Sequence, residues 1–211
     1  MKPVIDPARA RRRLAWIFSV LIGASMFLRT SELQTELILS SHPQPDRSIG
    51  PTCRIPATEM APGIKALSRD IARRFHLAES AAAGITRAAF TAAQARGIDP
   101  TLVLAIAAVE SKFKPRAVNP TTGATGLMQI MPRWHQDKIG SIGGESSLML
   151  IAPNLSVGAA IMAEYLDAED GDIQDALGHY LGTTGAERYL RRVNVEMAHL
   201  TRVMKAAKQP V

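Results

Sequence analysis

The chain has 211 residues, 46% of them hydrophobic, a single cysteine and a formal charge of +6. That length and apolar fraction suit one folded domain with an appendage, and a lone Cys53 excludes both an intramolecular disulfide and a cysteine-based metal site. The basic balance points to nucleic acid only until it is located: Lys2, Arg9, Arg11, Arg12 and Arg13, opposed by Asp6 alone, hold most of the excess, and no basic stripe with interleaved aromatics follows. No nucleic-acid partner is therefore expected.

The basic cluster instead belongs to targeting. Behind it, Leu14 to Leu28 is a run of apolar or small residues bounded by Arg29. A charged segment followed by an apolar one is an export signal, and the arginines place the N-terminus in the cytoplasm. Residues 1–28 are read as a signal peptide, with Gly23-Ala24-Ser25 offering small residues for cleavage, or as a retained anchor holding the protein to the membrane through residues 14–28. A run of about fifteen residues is short for a spanning helix, which needs about twenty, and both readings stay open. The rest of the chain is expected in the periplasm or cell envelope.

Residues 29–62 change character. Pro43, Pro45, Pro51, Pro56 and Pro62 interrupt regular structure, so this is a linker, with Ser31 to Ser41 compatible with one short helix. Cys53 lies in it, far beyond the apolar run, which is not the arrangement of a lipoprotein signal; it reads as an ordinary linker thiol.

Residues 63–211 read as an all-α domain. Ile64, Leu67, Ile71 and Phe75 recur at helical spacing, and an Ala-rich run from His76 to Arg96 with Leu77, Ile85 and Phe90 ends at Gly97, a residue suited to a left-handed cap. A third helix begins at Asp99, whose carboxylate caps the first turn, with Pro100 at the first helical position. Leu102, Ile106, Val109 and Phe113 form its buried stripe, and Lys114-Pro115 is expected to stop it. Glu110 stands beside that stripe, in line with Val103 and Ile106. Apolar neighbours and the negative end of the helix dipole both disfavour its carboxylate, which makes it a proton donor near neutral pH. Glycosidic cleavage needs such a donor. The competing reading is a glutamate that reaches water or pairs with Lys112 or Lys114.

Between Pro115 and Gly126 the sequence is turn chemistry, followed by Leu127, Met128, Gln129, Ile130 and Met131. Trp134, next in the chain with His135 and Lys138, is expected in the core. A helix starting around Pro153 to Ser156 is expected to be capped by Asn154 or Ser156, with Val157, Ile161 and Tyr165 inward. Asp172 opens another, with Ile173, Leu177 and Tyr180 on one face. Leu190, Val193, Met197, Leu200 and Met204 give a final amphipathic helix, expected to pack across the back of the domain. The five histidines show no ligand spacing, so neither metal nor cofactor is expected.

Glu110-Ser111, Gly126-Leu127-Met128-Gln129, Asn154-Leu155 with Gly158, and Ala176-Leu177 with Tyr180 and Gly182 occur in the order and approximate spacing of the soluble lytic transglycosylase catalytic domain, which this chain resembles. The resemblance implies a lysozyme-like fold of the goose-type kind and, as substrate, the glycan strands of peptidoglycan, cut between N-acetylmuramic acid and N-acetylglucosamine to leave 1,6-anhydro ends. It makes Glu110 the catalytic acid and then base, and Ser111, Gln129 and Tyr180 substrate-binding residues. Leu181 departs from the family's asparagine after the tyrosine, and the loop from Gly182 to Gly185 looks short. The alternatives are a muramidase using water, with Asp137, Glu145 or Asp167 as second carboxylate, and a non-catalytic wall-binding component of an envelope assembly. The oligomeric state is left open.

Overall fold

The computed structural model describes residues 61–182 and 187–207, all within the compact unit Pro56–Val211. The signal or anchor segment, the linker as far as Met60 including Cys53, and residues 183–186 lie outside the described residues. Among the described residues the fold is all-helical, with no strand and only isolated antiparallel bridges from Thr125 to Val118 and Ile130. No helix among them is long and apolar enough to cross a membrane.

Helix α1 (Pro62–Phe75) ends where His76 adopts a left-handed backbone at φ 54°. Helix α2 (Glu79–Gln94) buries Ile85 together with Ala82, Ala89 and Ala93, small residues that let neighbouring helices approach closely. Gly97, left-handed as its position suggests, turns the chain toward α3 (Pro100–Ser111). The Asp99 carboxylate accepts from the Thr101 amide at 2.7 Å and from the Thr101 hydroxyl at 2.7 Å, so the expected cap is formed.

Helix α3 is the axis of the domain. Every residue from Thr101 to Ala108 is buried, not one stripe alone, because α2, α5 and α7 surround it. A helix that is apolar all round belongs inside a protein. Its stop differs from the expectation: the helix ends at Ser111, ahead of Lys114-Pro115, with Lys112 and Phe113 both left-handed at φ 53° and 58°. Left-handed backbone at a non-glycine residue costs roughly 1–2 kcal/mol. Full burial of the Phe113 ring, edge-on to Phe75 with centroids 4.8 Å apart, offsets that cost by about 1.5–3 kcal/mol.

Short helix α4 (Gln136–Gly140) and two turns of 3-10 helix, Pro132–Trp134 and Glu145–Met149, lead to α5 (Ile151–Ala168), α6 (Ile173–Leu181) and α7 (Glu187–Ala206). Asp172 caps α6, accepting from the Gln174 and Asp175 amides at 2.8 and 3.1 Å. Helix α5 begins at Ile151 with no side-chain cap, so neither Asn154 nor Ser156 has the capping role expected of it: both already lie inside the helix. Trp134 is a second correction. It is 67% exposed, with the Arg133 guanidinium 5.1 Å from its ring centroid, because the 3-10 turn that carries it buries no residue.

Helices α1 and α7 are joined by an ionic cluster. Buried Asp70 receives His199 Nε2 at 2.8 Å, Arg73 at 2.8 Å and Arg74 at 3.4 Å, while Arg74 also forks onto Glu196 at 2.6 and 2.7 Å.

Candidate active site

Helix α3 carries Glu110 on its last turn, half-buried, one residue before the helix ends. Burial pushes its carboxyl above the ordinary glutamate value; the Tyr189 hydroxyl, and after it the Arg192 guanidinium, act in the opposite direction without reversing the shift. Among the described residues Arg192 is the formal charge that acts on this carboxyl, and no second carboxylate stands beside it. Asp137 is paired with Lys138 at 2.9 Å, Glu145 accepts from Gln136 at 3.0 Å, and Asp167 is exposed at the far end of α5.

Two tyrosines face the acid from different helices. Tyr180, on α6, donates its hydroxyl proton to the Met128 carbonyl at 2.8 Å. Burial, reinforced by the negative Glu110, holds it well above the ordinary tyrosine value. Tyr189, on the first turns of α7, is likewise raised by burial and then by Glu110. Its hydroxyl is close enough to Glu110 to influence its charge, yet it is buried without an aligned hydrogen-bond partner. An unsatisfied buried hydroxyl beside a carboxyl group is a donor held ready for a substrate oxygen or for the carboxylate itself.

The turn from Gly126 to Ile130 forms another wall. Asn154, fully buried in α5, holds it: its Oδ1 accepts from the Met128 amide at 2.9 Å, and its Nδ2 donates to the Thr125 and Leu148 carbonyls at 3.0 and 2.9 Å. Gly126, at φ 82°, lies so close to Asn154 and the Leu148 carbonyl that a Cβ has no room, and Gly158 leaves the space filled by the Met128 side chain. The glycines of the motif are thus required by this turn and by the helix behind it.

Within the turn Gln129 has a left-handed backbone, φ 49°, and both of its amide protons are used on the chain itself, donated to the Ala117 and Gly126 carbonyls at 3.1 and 3.0 Å. Its Oε1 is the atom left for a ligand, as an acceptor. Ser111 is buried and its hydroxyl donates back to the Ala107 carbonyl at 3.1 Å, a bond internal to the helix.

The structure therefore gathers Glu110 with Tyr180, which in turn touches the turn containing Gln129, and turns the Ser111 hydroxyl into the helix. Sequence reasoning missed Tyr189 and Arg192 because it assigned α7 to the back of the domain; its N-terminal turns instead flank the acid, with Arg192 donating to the Val109 carbonyl at 3.4 Å. The available signal was Tyr189 lying one residue before the apolar stripe, an aromatic with a polar end.

No curated protein sequence matches the chain. A family model described as the transglycosylase SLT domain matches residues 87–199, more than half of the chain, from within α2 to His199 on α7, and spans Glu110, the 126–130 turn, Asn154, Tyr180 and Tyr189. The chain belongs to the transglycosylase SLT family, whose members act on peptidoglycan.

Proposed function

We propose that the protein is a lytic transglycosylase that cuts the β-1,4 bond between N-acetylmuramic acid and N-acetylglucosamine, with Glu110 as acid and then base. The observation that carries this reading is a single carboxyl group raised by burial at the end of the central helix, with no carboxylate partner beside it among the described residues. The protonated Glu110 gives its proton to the glycosidic oxygen as the bond from that oxygen to C1 breaks. The substrate's own N-acetyl group shelters the positive charge at C1, the role a second carboxylate fills in most glycosidases. The Glu110 carboxylate then removes the proton from the muramic C6 hydroxyl, whose oxygen attacks C1. The product is a 1,6-anhydro end, and Glu110 is again protonated.

The surroundings supply the rest. The Tyr189 hydroxyl and Arg192 stabilise the carboxylate formed halfway, and the Gln129 Oε1 accepts from a sugar hydroxyl or acetamido N–H. Residues 1–28 carry the chain across a membrane, and residues 29–62 give the domain 63–211 its reach to the wall.

Mass spectrometry of muropeptides released from purified peptidoglycan tests the reading. The wild type is expected to yield anhydro-muropeptides, and Glu110→Gln to lose about 10²–10⁴-fold in rate or more. Reducing ends would establish water as the nucleophile and overturn the transglycosylase reading; no release by either protein would turn it toward wall binding.

A further inference from the structure

Helices α1 and α7 hold nine Lys and Arg against three Asp and Glu, while residues 76–182 between them hold seven against eleven. The helix pair is the positive part of the domain. Its three acids are engaged within the protein: Asp70 with Arg73, Arg74 and His199, Glu196 with Arg74, and Glu187 with Arg191 at 3.3 Å. Arg192 donates to the Val109 carbonyl and acts on Glu110. Lys65, Arg69, Arg188, Arg202 and Lys205 remain, all exposed and making no ion pair among the described residues. On α7 the exposed residues fall into register. Arg188, Arg191, Val195, Ala198, Arg202 and Lys205 recur at alternating spacings of three and four, so they lie along one side of the helix, and every one is exposed. Val195, in the middle, is 69% exposed, more than any other large hydrophobic residue described. Helix α1 runs antiparallel beside α7, since Arg74 meets Glu196 and Asp70 meets His199. Arg74 and Lys112 border an open groove with Arg188, Arg191 and Val195 of the stripe.

We propose that this stripe of α7, with the neighbouring cations of α1, is a docking face for a bilayer of anionic phospholipids: headgroup phosphates meet the cations, and Val195 enters between headgroups. The face belongs to the folded domain and is independent of residues 14–28 and of the chemistry assigned to Glu110. Its extent suits a surface better than a small ligand. The 20 residues of α7 are about 30 Å long, and Arg188 and Lys205 stand near its two ends, so the cations are spread along a line instead of converging on one point. Cations with exposed apolar residues set among them are the composition of a helix that lies at a membrane interface. A second copy of the chain fits poorly, because four of the six stripe residues are cations and would face their own kind across a symmetric contact. Nucleic acid also fits poorly: the stripe carries no aromatic side chain on which a base could stack.

The test places an environment-sensitive fluorophore on the full-length chain, in a Cys53→Ser background, either at Val195→Cys or at Asp167→Cys. Asp167 is exposed on α5, which packs on α2 and α6, so it reports a different side of the domain. Each label reads its own surroundings, so a chain held to the vesicle through residues 14–28 alone gives no difference between the two positions. With phosphatidylglycerol vesicles the label at 195 is expected to shift to shorter wavelength and the label at 167 to stay unchanged. Phosphatidylcholine vesicles are expected to leave both unchanged, and about 0.5 M salt to reverse the shift at 195. Each Lys or Arg near an anionic surface strengthens binding about fivefold, so Arg188→Gln, Arg202→Gln and Lys205→Gln together are expected to raise the lipid concentration needed for the shift about 100-fold. Arg188→Lys with Arg202→Lys keeps the charge and is expected to keep the shift. No shift at 195, an equal shift at 195 and 167, or a shift that survives the triple substitution unchanged overturns the docking face. So does a shift at 195 with single-stranded DNA and none with vesicles, which assigns the face to nucleic acid.

Discussion

Glu110 is a carboxyl group whose neutral form the fold favours. Its folded-state pKa is raised by burial above the ordinary glutamate value, so folding favours the protonated form. The associated stability is full below the unfolded value and is lost as pH rises through the folded one. Glu110→Gln does not titrate, so the variant is expected to match the wild type near about pH 4 and to exceed it near about pH 8, read from urea midpoints. An advantage that is the same at both pH values would show that burial does not set the carboxyl's charge. Tyr189 gives a complementary expectation. Its hydroxyl is the neighbour that most favours the charged carboxyl, so Tyr189→Phe moves the Glu110 pKa further up and shifts the alkaline limb of the pH-rate profile to higher pH. Because that hydroxyl has no aligned partner, the same variant keeps wild-type stability or gains slightly. A shift of the limb to lower pH would remove Tyr189 from the site.

At the scale of elements, the site depends on how helices hold a loop. The turn from Gly126 to Ile130 has almost no regular structure of its own, and from inside α5 Asn154 bonds the Met128 amide within it, the Thr125 carbonyl just before it and the Leu148 carbonyl of the later 3-10 turn. Asn154→Ala leaves the Met128 amide and the Leu148 carbonyl without that partner, while the Thr125 carbonyl keeps its bond from the Ile130 amide at 3.0 Å. Each such group costs about 1–3 kcal/mol, so a loss of at least about 2 kcal/mol in urea unfolding is expected. The Tyr180 hydroxyl rests on the Met128 carbonyl of the same turn, so activity is expected to fall more than stability. A variant that is destabilised but keeps its kcat would separate the turn from catalysis.

For the whole molecule, the two sides of the bundle are closed by α1 and α7, which come from opposite ends of the domain. Asp70, almost fully buried, collects His199, Arg73 and Arg74 at that seam. Asp70 is the buried member of the cluster, and deleting it removes charge-assisted hydrogen bonds worth about 1.5–3 kcal/mol, while Arg74 keeps Glu196. Asp70→Ala is therefore expected to lower stability by about 3 kcal/mol in a urea titration. A loss under about 1 kcal/mol would show water reaching the seam. Tyr189 and Arg192 both lie on α7, so loosening this seam is expected to reduce activity as well as stability.

The sequence by itself determined the helices and the family: apolar spacing marks each long helix, Asp99 and Asp172 announce their caps, and the motif residues place the chain among the transglycosylase SLT domains. These signals are local, set within one or two turns of chain. Only the tertiary structure decided what surrounds the acid. Asn154 serves a turn some 26–29 residues earlier in the chain instead of its own helix, and α7 turns from scaffold into a wall of the site. Trp134 lies exposed although its composition suggests core, and α3 ends early because Phe113 packs on Phe75. Each of these outcomes depends on which elements become neighbours. Periodicity reports whether a face is buried, and says nothing of which polar group arrives opposite it.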